Sequence, residues 1–242
     1  MIIFLRKRTL AGIAMAALVL LSCVFCREMA PGVVSSFAPG MDAPFVVVID
    51  PGHGGEDGGA VSAAGAEESR INLDIALRLN QLLRFCGTRT LMIRTDDSSI
   101  GDPGLATVRE RKASDLKKRV ELVNDAENAV LLSIHQNSLP SSPVTHGAQA
   151  FWNLQSGSRE LAKEIQRALN AQINTERPKE PKEISSTIYL MKHVQAPAVL
   201  VECGFLSNAA EAEKLQEDPY QTKLAAVIAA GYLECLNGET EP

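Results

Sequence analysis

The chain alternates short apolar runs with longer stretches in which apolar residues recur every three to four positions. Residues 45–49 form a β-branched run that ends at Asp50-Pro51-Gly52, and Ile71, Ile75, Leu79, Leu82 and Leu83 follow at helical spacing. That helix is predicted over Glu68–Phe85, with Gly87 as its stop. Residues 90–94 read as a second strand, 114–126 as a helix with Asp115 in its first turn, and 130–135 as a third strand. Residues 147–152 alternate like a more exposed strand, and 158–173 are amphipathic at the helical period. The spacing predicts a strand over 187–191, an apolar buried strand over 198–203, and two helices near 209–217 and 219–236. Strands that alternate with helices predict an α/β fold, with a mostly parallel, twisted central sheet of about six strands flanked by helices on both faces.

The N-terminus differs in kind. Arg6, Lys7 and Arg8 precede an apolar run over 10–26, the layout of an export signal or a retained anchor. Leu20-Leu21-Ser22-Cys23 only loosely resembles a lipoprotein cleavage box. Residues 1–27 are therefore read as a signal peptide or membrane anchor, 28–43 as a linker and 44–238 as one catalytic domain long enough to build its own core. This predicts an extracytoplasmic protein, secreted or attached to a membrane through its N-terminal segment. Without its first thirty residues the chain carries 20 basic and 28 acidic residues, which disfavours a nucleic-acid partner. Two of the five cysteines, Cys23 and Cys26, fall in the leader, and Cys86, Cys203 and Cys235 lack the count and spacing of a disulfide framework.

Four separated segments carry candidate chemistry: VVVIDPGHGG with His53, GAEESRINLDIAL with Glu68, VLLSIHQNS with His135 and PAVLVECGFLSN with Glu202. Two imidazoles and one carboxylate make the ligand set of a catalytic zinc site with an open position, and a further glutamate suits its general base. His53 follows the first strand, His135 ends the third and Glu202 ends the last apolar strand, so all three point to the crevice beyond the strand carboxyl ends. Glu68 reaches the same crevice from the first turn of its helix. Each has a plainer reading: a turn histidine, a helix-dipole glutamate, a hydrogen-bonded strand-end histidine. Glu202 resists one, because a carboxylate inside Ala-Val-Leu-Val and Cys-Gly-Phe is costly to bury without a role. Cys203 is read as a small buried hydrophobe in preference to a ligand or nucleophile. Asp50 has two readings, an acceptor behind a ligand histidine or part of an Asp-Pro-Gly turn. His146 and His193 read as surface or structural histidines, and residues 176–183, ERPKEPKE, as a solvated loop.

The order IDPGHGG, a glutamate four residues before Asn72-Leu73, SIHQNS and AVLVECGFLSN resembles the zinc-dependent N-acetylmuramoyl-L-alanine amidases of the type 3 catalytic domain. The resemblance covers residues 46–236, and Arg119, Asn124 and Tyr220-Gln221 extend it. It implies that His53, Glu68 and His135 bind Zn2+ and that Glu202 is the catalytic glutamate, with Glu67 the competing ligand that the spacing rejects. It also implies a peptidoglycan substrate, cleaved between N-acetylmuramic acid and L-alanine. The stretch 109–119, with Ile188-Tyr189-Leu190-Met191-Lys192, is most similar to the germination-specific branch. That branch acts on spore cortex, where bare muramic acid precedes muramic-δ-lactam, and it suggests the forespore intermembrane space as the location. With no wall-binding domain evident, a separate adaptor or activator protein is a further expectation. The alternatives in other classes are a carboxypeptidase-like or deacylating zinc hydrolase and a non-catalytic wall-binding or activator module.

Overall fold

The computed structural model describes residues 45–238, and the expected leader and linker lie outside the described residues. Six strands form a single sheet in the order β2-β1-β3-β6-β4-β5. They are β1 (Val46–Pro51), β2 (Arg89–Met92), β3 (Ala129–Asn137), β4 (Gln149–Trp152), β5 (Lys182–Glu183) and β6 (Ala198–Phe205). Strands β2, β1, β3 and β6 run parallel, β4 runs antiparallel to β6, and β5 pairs parallel with β4.

The helices are α1 (Glu68–Phe85), α2 (Val108–Asp125), α3 (Ser158–Gln172), α4 (Tyr189–His193), α5 (Ala209–Lys214) and α6 (Asp218–Gly238). Alternation along β1 decides which face each side chain serves. Val47 and Ile49 join a core with α1, α3 and α6, whereas Val48 joins a smaller core with α2 and α4. The larger core is sealed by helix contact at Gly231 of α6, where an added Cβ would stand 2.6 Å from Cα of Ile165 in α3. The thinner face leaves a gap between α2 and α4 above the ends of β3 and β6, and this gap is the crevice described below. No helix among the described residues is long and apolar enough to cross a membrane.

Three local expectations differ from the structure. Residues 187–191 are not a strand: α4 begins at Tyr189, with Lys192 N donating to Ile188 O and Val194 N to Leu190 O, both at 3.0 Å. Its β-branched and aromatic residues suggest a strand, but Leu190, Met191 and Val194 are buried together at helical spacing. The charged 176–183 stretch is not wholly loop, since Lys182 and Glu183 pair with Phe151 and Trp152 at the sheet edge. Helix α2 starts six residues before its apolar period does. Thr107 caps it, accepting from Glu110 N while the Glu110 side chain accepts from Thr107 N.

Candidate metal centre and active site

The loop leaving β1 carries His53 in the left-handed region, with φ of 63°. Two buried arginines hold that backbone. Arg119 donates to Asp50 Oδ1 at 2.5 Å, to Pro51 O at 2.9 Å and to His53 O at 2.6 Å. Arg94 donates to Pro51 O at 2.9 Å and to Gly52 O at 3.0 Å. Asp50, within β1, also accepts from Ser133 Oγ at 2.6 Å, so it is neither an acceptor behind a ligand histidine nor a turn residue; it anchors Arg119 instead. Burial alone would raise the Asp50 carboxyl, but the Arg119 guanidinium, His135 and the Ser133 hydroxyl together outweigh it and hold the group below its ordinary value.

The structure brings His53, Glu68 and His135 together, with one donor atom of each lying within 4.8 Å of the others. Glu68 Oε1 is 2.9 Å from His135 Nδ1 and 3.3 Å from His53 Nε2. Ligand atoms about 2.0–2.1 Å from one tetrahedral zinc stand about 3.3 Å apart, close to both of these glutamate–imidazole distances. Glu67 stays outside the cluster, paired with Arg70 at 3.2 Å. Glu68 is fixed by Ala60 N on Oε2 at 2.8 Å, and by Gln136 N at 3.1 Å and Asn72 Nδ2 at 3.3 Å on Oε1. Gly52 passes so close beneath His135 that an added Cβ would lie 2.2 Å from the ring.

Asp57, which sequence reading did not single out, stands behind His53. Its Oδ2 is 2.9 Å from His53 Nδ1 and 2.8 Å from Lys112 Nζ. A proton on Nδ1 leaves Nε2 free to face the cluster. In the metal-free protein burial opposes charge on His53, but hydrogen bonds to Asp57 and Glu68 prevail and raise it to about 9. Burial also opposes charge on the two carboxyls, but hydrogen bonds to His53 and Lys112 hold Asp57, and hydrogen bonds to His135 and His53 hold Glu68, well below the usual range.

Glu202 pairs in register with His135 across β3 and β6, and both line the same crevice of about 460 Å3. Its Oε2 is buried with no hydrogen-bond partner among the described residues. Burial is the main influence on this carboxyl and pushes it up to about 7. An acid held near neutrality can both accept and return a proton. Cys203, its neighbour, is fully buried, which pushes its thiol well up and makes it a core residue. His146 contacts Val144 O at 3.0 Å and His193 packs against Tyr189 at 4.3 Å; neither lines the crevice.

The family description for N-acetylmuramoyl-L-alanine amidases matches residues 47–234, nearly all of the described chain. The chain belongs to this amidase family. A germination-specific N-acetylmuramoyl-L-alanine amidase of Bacillus subtilis is 38% identical over 199 residues, spanning 81% of this chain and 82% of the relative. The CwlD amidase from Clostridioides difficile, solved in complex with the GerS lipoprotein, superposes with a TM-score of 0.76 at 35% identity, covering 80% of this chain and 98% of that one. An N-acetylmuramoyl-L-alanine amidase from Clostridium difficile 630 follows with a TM-score of 0.67 at 31% identity, over 80% of this chain and 97% of that one. The amidase fold therefore accounts for the whole sheet, and the cluster at its strand ends is where chemistry is to be sought.

Proposed function

We propose that this chain is a zinc-dependent N-acetylmuramoyl-L-alanine amidase in which His53 Nε2, Glu68 Oε1 and His135 Nδ1 hold the ion and Glu202 moves the proton. The observation that carries the reading is the convergence of those three donors beside a buried carboxyl with a free oxygen. Zinc bound there supplies Lewis acidity and brings the pKa of water down towards about 7. The protein does the rest. Asp57 keeps the His53 proton on Nδ1, while Ala60 N, Gln136 N and Asn72 keep Glu68 from rotating. Glu202 takes a proton from the water that attacks the lactyl carbonyl carbon. It returns that proton to the alanine nitrogen as the carbon–nitrogen bond breaks. The products are a muramic acid carboxylate on an intact glycan and a stem peptide with a free amino terminus.

The substrate is peptidoglycan, and likeness to the germination-specific relative favours spore cortex, where the freed muramic acid is the precursor of muramic-δ-lactam. The basic start and apolar run of residues 1–27 support export with an extracytoplasmic site of action. The related amidase solved with a lipoprotein supports a separate adaptor as partner. The test is mass spectrometry of peptidoglycan digested by the zinc-loaded protein and by Glu202→Gln. Free stem peptides beginning with L-alanine, lost in the variant, are expected. Glycan fragments or shortened peptides in their place would reject the amidase reading.

A further inference from the structure

A second cavity, of about 360 Å3, opens beside the catalytic crevice. The two share Asp57, Lys112 and Asp115 as walls, so they adjoin. The rest of its wall is the glycine turn after β1, residues 97–103 and the first turn of α2. Hydrogen bonds fix this wall in advance. Asp115 accepts from Ser99 Oγ at 2.9 Å and from Ile100 N at 2.8 Å, and Arg111 donates to Leu105 O at 2.7 Å. A cavity of this size, preformed and next to a reactive centre, has the dimensions of a ligand site.

Its charges decide what it accepts. Both cations of the wall already have carboxylate partners, Lys112 with Asp57 and Arg111 with Glu56, each at 2.8 Å. Asp115 pairs with Arg119 at 2.6 Å and Asp97 lies 3.6 Å from Arg70, while Asp102 pairs with no base among the described residues, so the wall is acidic overall. An anionic ligand would have to displace one of these carboxylates and would meet the excess of acidic groups besides. Between the pairs, Pro103 and Val108 present apolar surface, Val108 being 55% exposed, and Ser98, Ser99 and the glycine backbone present neutral polar groups. Such a wall matches an uncharged ligand with hydroxyls on one side and a methyl or a C–H face on the other.

We propose that this cavity is a subsite for the N-acetylated amino sugar adjoining the muramic acid whose amide is cleaved. The proposal rests on the amidase reading above. In peptidoglycan the stem peptide carries free carboxylates, whereas the neighbouring sugar is neutral and carries an acetyl methyl. The wall's excess of carboxylates therefore disfavours the peptide, and its apolar and neutral polar surface favours the glycan strand. Val108 and Pro103 receive the acetyl methyl or the sugar's C–H face, and the Ser98 hydroxyl oxygen, as acceptor, and the glycine backbone receive its hydroxyls.

Steady-state cleavage of three soluble substrates tests it: N-acetylmuramoyl peptide alone, and the two disaccharide peptides that carry N-acetylglucosamine on either side of the muramic acid. The full zinc-loaded chain is expected to cleave one disaccharide form with kcat/KM roughly tenfold above the monosaccharide form. Val108→Glu sets a carboxylate beneath the sugar at an exposed position in the first turn of a helix, where glutamate suits folding. It is expected to abolish that advantage and leave the monosaccharide rate unchanged. Equal rates on all three substrates, or an equal loss on all in the variant, overturn the subsite. Should the wild type cleave none of them, the amidase reading fails instead. Binding of a peptide-free tetrasaccharide, followed by NMR, then decides the subsite by its presence in the wild type and its loss in Val108→Glu.

Discussion

Glu202 is a carboxyl kept away from partners, and that isolation makes a direct prediction. Glu202→Gln keeps shape and burial but cannot carry the proton, so kcat/KM is expected to fall roughly 10²–10⁴-fold with zinc content unchanged by atomic absorption. Its acid limb has a sign that can be worked out. Burial, the largest of several influences, places the carboxyl at about 7 without metal. A divalent cation beside it favours the ionised form, so the limb in the pH profile of the loaded enzyme should fall below that value. His53 predicts the converse for the empty site. Its pKa is raised from 6.5 to about 9, so its contribution to stability is full below 6.5 and disappears as pH rises through about 9. Zinc must find this nitrogen unprotonated, and uptake at neutral pH is expected to release a proton, measurable by calorimetry in buffers of different ionisation enthalpy. Asp57→Asn, which weakens the acceptor on Nδ1, should cost about 10–100-fold in zinc affinity. An unchanged affinity would remove Asp57 from the metal centre.

Among the elements, the loop after β1 is positioned by α2 through Arg119, whose guanidinium reaches Asp50, Pro51 and His53. Arg119→Met leaves Asp50 buried and unpaired, and should cost about 3–5 kcal/mol in denaturant unfolding. The Asp50 carboxyl is held below its ordinary 3.8. Its stabilisation is therefore complete above 3.8 and lost as pH falls through the lower folded value, which the Met variant should no longer show. This network also marks where reading from sequence stops. Strands β1, β3 and β6 and helices α1 and α3 were legible because their apolar periodicity is the burial pattern itself, and so was the placement of His53, Glu68, His135 and Glu202 in one crevice at their ends. Helix α2 was only half legible. Its buried residues include Asp115 and Arg119, polar groups that serve an ion-pair network and leave no apolar stripe over its first turns. Helix α4 was misread because five residues are too few for period to outweigh β-branched and aromatic composition. Asp57 escaped notice because an acidic residue in a glycine turn reads as turn chemistry until the fold lays it against His53.

For the whole molecule, the two cores share one sheet, so neither face can come apart without exposing the other. Residues 44–238 expressed alone are expected to unfold in one transition, with calorimetric and van't Hoff enthalpies equal. Two separate transitions would contradict the single-domain reading. Gly231→Ala strikes the seam between α3 and α6, where the new methyl meets Ile165 backbone, and should lower stability by about 1–3 kcal/mol. The left-handed backbone at His53 has the opposite tendency. Histidine there bears a conformational cost of about 1–3 kcal/mol that glycine largely avoids. Laboratory evolution for heat resistance alone would thus find an inactive answer attractive at position 53. Only selection that also demands turnover would keep the imidazole in place.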